Sequence, residues 1–600
     1  MPSGTRKEML LTRIRKRKKK KKRKLKIMIK RVSKLMLPVL LLLAGCAAKE
    51  ETADTSAQSE PETEVKETLP EKTSETETEA ESVEASSENT LSHTALDLMK
   101  TYNTKEPEAI KDKYGSVYQV FVYSFCDSDG DGIGDLNGVA SKLDYIQDMG
   151  FNGIWLSPVC PSDTYHKYDV KDYYAIDPVY GSMEDFENLS KECEEKGIRL
   201  IFDLVINHTS SKHEWFREAS SYLRTLKDDE EPDLTVCPYV AYYNFAKEHK
   251  GSSYHALSGT KWYYEAPFWG EMPDLDLQNE DVRRQVEKIV DFWMEKGVKG
   301  FRLDGVKEYV SGNPDANTEV LSWLNSYVKS KDEDMYLVAE VWMDMTGYLP
   351  YYASGIDSVF NFAFADTSGK IASSVKHSNA MTYANAITDL SGGLKAYENA
   401  IDAPFYTNHD MGRSAGYYPG DTKENKVKLA QAMNLLMTGN VFMYYGEELG
   451  MKGSGADENK RAPIMWSSDP DAAGMCKGPE NMDKDMQQIF PALDEQIKDG
   501  NSIYNYICQV LRLRNAYEEI RKGEAEVVSE RSDKNVCVIK KTYEGESIYI
   551  AFNTAAEDVH LDIGGLGGSE IVGCLLTNDS APAKDANDLL IPAFAAVLIK

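Results

Sequence analysis

The sequence predicts an α/β protein built on a (β/α)8 TIM barrel, with a domain B inserted after the third strand and an all-β domain C at the carboxyl end. Three observations predict it. First, short apolar runs at 117–123, 153–156, 200–205, 300–303, 336–339, 358–362, 403–407 and 441–444 read as strands. Helical periodicity fills most of the intervals, for example at 138–149, 183–196, 279–296 and 318–330. Second, the third unit is too long. Residues 209–272 are rich in aromatics and have no clear period, which marks an insertion. Third, beyond about residue 524 the pattern changes to period-two alternation (VCVIKKTY, SIYIAFN, HLDIGG, AAVLIK), as half-buried strands require.

At 600 residues the chain exceeds what a single hydrophobic core serves, so several domains are expected. With 42% hydrophobic and 28% charged residues it is neither collagen-like, nor wholly disordered, nor a polytopic membrane protein. Residues 1–34 hold 17 Lys and Arg against one acid, Glu8, and the remainder carries 52 basic against 96 acidic side chains. So acidic a body repels phosphate backbones, and nucleic acid is not an expected partner.

The amino terminus reads as an address. A basic run (13–31) precedes nine apolar residues, LMLPVLLLL, too few to span a bilayer as a helix. Basic segment, short apolar segment and small residues together describe a secretory signal. Leu43-Ala44-Gly45-Cys46 resembles the lipobox of bacterial lipoproteins, in which the cysteine becomes the lipidated first residue. We therefore expect a signal peptide over 1–45, a lipidated Cys46 that puts the chain on the membrane, and an extracytoplasmic, lipid-anchored location. A start at Met28 gives a signal of more ordinary length. Residues 46–110 are mostly Glu, Thr, Ser and Ala, cannot bury enough apolar surface to offset chain entropy, and read as a disordered acidic tether. The barrel is then expected over 111–520 and the β domain over 521–600. The remaining eight cysteines contain no C-x-x-C and do not make a disulfide scaffold.

After the first strand the chain reads Asp127-Ser128-Asp129-Gly130-Asp131-Gly132-Ile133-Gly134-Asp135. Acids two residues apart with glycine between them can fold their oxygens around one hard cation. The start fits D-x-D-x-D-G, but position twelve is Gly138 rather than a bidentate Glu, and a strand precedes the loop where an EF-hand has a helix. It is therefore a single Ca²⁺ loop by expectation, with Asp127, Asp129, Asp131 and Asp135 as side-chain ligands and the carbonyl of Ile133 as a further one. A solvated acidic turn is the plain alternative.

Chemistry in such a barrel sits where strands end. The third strand ends in Asp203-Leu204-Val205-Ile206-Asn207-His208, the fourth in Arg302-Leu303-Asp304, the fifth in Ala339-Glu340-Val341-Trp342, and the seventh in Asn408-His409-Asp410. Four acids, two histidines and one arginine thus converge on one mouth. Repulsion among the carboxylates raises the pKa of at least one, and Arg302, two residues before Asp304 on the same strand face, holds that neighbour ionised. A lone Asp after a strand is an ordinary helix cap; four such motifs in order are not.

In this the chain resembles the α-amylase family, glycoside hydrolase family 13, from residue 117 to the end. Met272-Pro273-Asp274-Leu275-Asp276, Gly153-Ile154-Trp155-Leu156-Ser157-Pro158, Tyr165-His166-Lys167-Tyr168-Asp169 and Tyr444-Tyr445-Gly446-Glu447-Glu448 match further family motifs. The resemblance implies retaining hydrolysis through a covalent glycosyl-enzyme, with Asp304 as nucleophile, Glu340 as acid/base and Asp410 as transition-state stabiliser. It also implies that Tyr168 stacks on the sugar, that His166, His208 and His409 line its subsite, and that Asp203, Arg302 and Lys307 support the site. Two departures stand out: Lys307 is followed by Glu308 where family α-amylases usually carry His, and Asp276 stands where Asn is usual.

Linkage is carried by fewer residues. Gly305 after Asp304, together with Lys307, is closer to the α-1,4 side than the Val of oligo-1,6-glucosidase relatives. The M-P-D-L motif and the acidic loop resemble an intermediate subfamily, between oligo-1,6-glucosidases and neopullulanases, that includes secreted lipoproteins. Starch, maltodextrins and maltooligosaccharides are the expected substrates of a monomeric enzyme. Asp169 and Arg413 resemble a pair that clamps the non-reducing end in exo-acting relatives, so an α-glucosidase or transglycosylase is the alternative. A non-catalytic maltodextrin-binding lipoprotein is the third reading, and the presence of all three carboxylates speaks against it.

Overall fold

The computed structural model describes residues 93–600. The signal segment, Cys46 and most of the expected tether lie outside the described residues. Among the described residues no helix is long and apolar enough to cross a membrane.

Seven strands form one parallel sheet in the order Val441–Tyr444, Ser116–Val120, Gly153–Leu156, Arg199–Leu204, Gly300–Leu303, Tyr336–Ala339 and Ser358–Val359. Its two edges are joined through the seventh stave, where parallel bridges pair Phe360 with Ala403 and Phe405 with Phe442. The expected strand 403–407 is thus reduced to single pairings, and Pro404 explains why. It has no N–H for the ladder, although its carbonyl still accepts the N–H of Phe442 at 2.7 Å. The first strand is shorter than expected too, and a 3-10 turn, Val122–Ser124, follows it. The expected helix 138–149 is two pieces, Leu136–Ala140 and Leu143–Met149, the first capped by the Asp135 carboxylate on the Gly138 N–H.

Side chains alternate along a strand, so every second residue points into the barrel. Val117, Trp155, Ile201, Tyr336, Val338, Phe360, Phe405 and Phe442 meet there in a buried cluster separate from the sheet–helix core. The fourth strand alone contributes no apolar side chain to this cluster. It offers Gly300, where a Cβ would come within 2.8 Å of the Tyr336 carbonyl, and then Arg302. Continuing the same parity upward gives Asp203 above Ile201, Asp304 above Arg302 and Glu340 above Val338. The reactive groups are the top layer of the barrel filling.

Domain B follows the third strand as helix Glu214–Leu223 and a three-stranded sheet in the order Phe245–Ala246, Tyr263–Glu265, Tyr254–Ala256. Bridges His208 to Asp274 and Tyr243 to Leu275 return the chain to the barrel. Domain C is a five-stranded antiparallel sheet with a smaller three-stranded one beside it. Of two buried cations at the seam, Lys541 of domain C ties it to the barrel and Arg514, on the last barrel helix, braces the barrel side. Lys541 donates to the carbonyls of Leu436 (2.6 Å) and Ile520 (2.8 Å), and Arg514 to those of Leu435 (3.0 Å), Met437 (2.6 Å) and Gly115 (3.1 Å). Several of these carbonyls close the helix Lys423–Leu435, whose carboxyl end carries partial negative charge.

Part of the segment 46–110 expected as tether is folded. Ala95–Tyr102 is a helix, opened by a capping box between Thr94 and Asp97. It buries Ala95 and Met99, and Asn103 just beyond it pairs with an edge strand of domain C, Ile571–Leu575. The Asn103 amide accepts the Cys574 N–H at 2.9 Å and donates to the Cys574 carbonyl at 3.1 Å, as a neighbouring strand would.

Candidate active site

A cleft of about 510 Å³ opens at the carboxyl ends of the barrel strands, with Asp304, Glu340 and Asp410 in its wall beside His166, Tyr168 and His208. Beneath it lies Arg302, 1% exposed. One of its terminal nitrogens donates to Asp203 (2.8 Å) and to Asp304 (2.7 Å), the other to Glu340 (2.7 Å). Burying a guanidinium alone costs several kcal/mol, and three carboxylates at hydrogen-bond distance offset it. Its charge is thereby secured: burial works against it, but Asp203, Tyr168, Glu340 and Asp304 hold its pKa well above the ordinary value.

The carboxylates are not equivalent. Burial, opposed by Arg302 and reinforced by Asp304 and Asp410, pushes Glu340 up to about 7. Asp410 moves the other way: burial raises it, but His409, Arg461 and Arg302 outweigh that and hold it low. One acid is therefore poised to carry a proton near neutrality while another stays ionised.

The histidines are neutral ring donors and acceptors. Burial lowers His409 to about 3 and His166 to about 4, and lowers His208 as well. The Gln119 side-chain amide meets Nδ1 of His409 at 2.8 Å, which leaves the ring proton on Nε2, 2.7 Å from the Tyr168 hydroxyl. Tyr168 lies parallel to His409, with ring centroids 5.3 Å apart, and its hydroxyl donates to Asp203 at 3.1 Å. The Trp155 indole donates to the same Oδ2 of Asp203 at 3.1 Å, while Arg302 takes Oδ1. His208 faces the Tyr168 carbonyl at 3.2 Å. A relay of fixed polar groups thus joins strands one, two, three and seven under one sugar-sized space.

The family model "Alpha amylase, catalytic domain" matches residues 119–523. The chain belongs to the α-amylase family. It is a glycoside hydrolase. Alpha-amylase 3 of Dictyoglomus thermophilum is 39% identical over 448 residues, covering 73% of this chain and 84% of that protein. Among solved structures, Amy13B of Eubacterium rectale is 47% identical with a TM-score of 0.82, over 84% of this chain and 98% of its own. An α-amylase from H. orenii is 32% identical with a TM-score of 0.71, over 81% and 99%.

Not every expected residue of this α-amylase family member reaches the cleft. Asp169 and Arg413 do not meet. Asp169 accepts from the hydroxyls of Ser162 and Thr164, and Arg413 is turned back to the Tyr445 carbonyl at 2.6 Å, packed on the rings of Tyr444 and Tyr445. The clamp those two would form is absent, because Arg413 leaves its loop toward the eighth strand. Lys307 is partly exposed and pairs with Glu308 at 3.5 Å.

Arg461, which the sequence reading passed over, stands at the mouth instead. It follows the short helix Asp457–Lys460 and donates to Asp410 (2.8 Å), to the Tyr165 hydroxyl (3.0 Å) and to the His409 carbonyl (3.1 Å). Its only sequence signal was a basic residue 51 positions from its carboxylate partner.

In the acidic loop, carboxylate oxygens of Asp127, Asp129 and Asp135 lie within 4.8 Å of one another. Asp131 is outside that group and accepts the Ile133 N–H at 2.7 Å, while Lys477 reaches the Asp131 carbonyl at 3.0 Å. Three converging carboxylates with hard oxygen donors fit a divalent cation.

Replacing Arg461 by Ala should cut kcat/KM by about 10²-fold, since Asp410 loses its orientation, and Arg461→Lys should lose less. Steady-state kinetics on soluble starch, beside a circular dichroism spectrum of each variant, checks this.

Proposed function

We propose that the chain is a retaining hydrolase of α-1,4-glucosidic bonds in starch, maltodextrins and maltooligosaccharides. The observation that carries this reading is the single guanidinium of Arg302, which bonds Asp304 and Glu340 together and keeps them close across one glycosidic bond. Retention requires about 5–5.5 Å between such a pair, whereas inversion leaves space for a water.

In this mechanism Asp304, aimed by Arg302, attacks the anomeric carbon as Glu340 passes its proton to the departing oxygen. Glu340 then takes a proton from the water that opens the glycosyl-enzyme. Asp410, low in pKa and fixed by Arg461, accepts hydrogen bonds from sugar hydroxyls, while neutral His208 and His409 and the face of Tyr168 orient the ring. The exo-acting alternative rested on Asp169 and Arg413. Their separation leaves the endo-acting reading as the better supported.

Asp127, Asp129 and Asp135 would hold Ca²⁺, whose contribution there is to neutralise the loop and fix it after the first strand. Chelation should lower the melting temperature, and added Ca²⁺ should restore it. An identical melt with and without chelator would count against the ion.

The signal-like segment and the lipobox at Cys46 support an extracytoplasmic chain anchored to a bacterial membrane through that cysteine. Cys46→Ser should abolish lipid labelling and release the protein; a variant still labelled and membrane-bound would refute the anchor.

Glu340→Gln and Asp304→Asn should each lose on the order of 10³-fold or more in kcat on amylose. Wild-type kcat/KM should decline as pH rises through about 7, because the acid must be protonated and Glu340 titrates there. Proton NMR of the first products should show the α-anomer; the β-anomer would end the retaining assignment.

A further inference from the structure

Gln119 is 1% exposed and sits inside the barrel. Val117 belongs to the apolar filling, and residues two apart share one face of a strand, so Gln119 points inward one layer higher. In register with it stand Trp155 on the second strand and Tyr444 on the eighth. An amide in such surroundings is unfavourable unless it is hydrogen-bonded. Its Nε2 meets Nδ1 of His409 at 2.8 Å. Gln119 does not line the cleft, so whatever it contributes there passes through that imidazole.

Aromatic neighbours set the plane of the His409 ring. Tyr168 lies parallel to it at 5.3 Å and 9°, and Trp155 meets it edge-on at 5.8 Å and 82°. Stacking does not decide which nitrogen carries the proton, and a neutral imidazole has one donor and one acceptor. At Nε2 the surroundings call for a donor. The Tyr168 hydroxyl, 2.7 Å away, donates to Asp203 and therefore accepts from the ring. Oδ2 of Asp410 lies 3.1 Å from the same nitrogen, and an ionised carboxylate only accepts. Nδ1 is left to offer a lone pair, and the Gln119 N–H is the donor that fills it.

Charge is at stake as well as tautomer. Burial resists a second proton on this ring, Asp410 attracts it, and Arg461, Arg302 and His166 repel it. That proton would have to enter at Nδ1, where it would confront the N–H of Gln119. A hydrogen bond made to the neutral form disfavours the charged one. An imidazolium 3.1 Å from Asp410 would bind it as an ion pair and draw its oxygen away from sugar hydroxyls. A neutral ring lends Asp410 a hydrogen bond and leaves its charge to the substrate.

We propose that Gln119 is a positioning residue of the glycosidase site: its side-chain N–H, held against Nδ1, keeps His409 uncharged with the proton on Nε2, so that Asp410 stays free to accept from the sugar. This rests on the hydrolase reading above and adds to it a residue that touches no substrate. The device crosses the closure of the barrel, because Gln119 stands on the first strand and His409 at the end of the seventh stave.

The test reads the ring directly. NMR of the whole chain carrying histidine labelled with the heavy nitrogen isotope reports the state of each ring nitrogen, and the His409 signals are those lost in His409→Gln. Wild type should show Nδ1 bare and Nε2 protonated, with no titration of that ring down to about pH 5. Gln119→Glu, the same size with an acceptor in place of the donor, should charge the ring at about pH 6. Gln119→Met, which offers neither, should titrate between the two. On maltoheptaose Gln119→Met should lower kcat about tenfold with KM little changed, the loss of one orienting hydrogen bond. Gln119→Glu should gain an acid limb, its kcat/KM falling as pH drops through the raised pKa and the ring takes up charge. A proton on Nδ1 of the wild type overturns the proposal. So does a ring that titrates alike in wild type and in variants that melt like it, or kinetics that both variants share with wild type across pH. Should one variant not fold, the wild-type tautomer and the other variant decide. Wild type that cleaves no α-glucan fails the parent reading, while the ring spectra still judge this one.

Discussion

A single guanidinium, that of Arg302, lies inside the barrel with three carboxylates at 2.7–2.8 Å. Neither charge sign is tolerable there without the other. This coupling fixes the order of filling from below. Gly300 removes a side chain where the strands approach closely, Arg302 occupies the next inward position, and Asp304 tops the same strand. Asp203 and Glu340 arrive from the two adjacent strands because neighbouring parallel strands bring equal heights together. The apolar cluster under them excludes water and so strengthens every one of those bonds.

On this base, divergent proton affinities come from differences in surroundings rather than in residue type. Glu340 looks onto two further acids, and Asp410 onto a second arginine. Two of the buried imidazoles, His208 and His409, cannot charge readily and so serve as fixed dipoles, which keeps the positive charge at the mouth confined to the arginines. Domain B and the loops after strands two, five and eight then add what the barrel strands cannot reach: aromatic surface on one side, Arg461 and Tyr165 on the other.

The parts legible in the sequence were those whose meaning is local. Strand-end motifs declare both a strand and an acid at a set parity, so Asp203, Arg302, Asp304, Glu340 and Asp410 could be placed by counting. Domain B showed itself by length and domain C by its change of period. What escaped depended on direction or on distant partners. Arg413 and Arg461 are both basic residues on loops beside the seventh and eighth strands, and nothing in composition says which turns toward the mouth. The seventh stave looked like a strand because its apolar pattern is right, while Pro404 broke its ladder. The helix Ala95–Tyr102 was hidden by the acid-rich stretch before it, although Thr94 and Asp97 spell a capping box and Ala95 and Met99 share one face.

That helix has a mechanical consequence. The described chain begins at the seam between the last barrel helix, Ile503–Ala516, and the edge of domain C, and Asn103 grips both, through Gln509 and Cys574. Tension applied to the amino end is borne first where the N–H groups of Ala95 and Leu96 bond Asn501 and Gly500, and next by this clasp. From there it passes into the Arg514 and Lys541 bonds behind, and the strand ends that carry the carboxylates are spared. An enzyme held by its amino end against flow or against a bulky substrate would yield at its seam before its cleft lost shape.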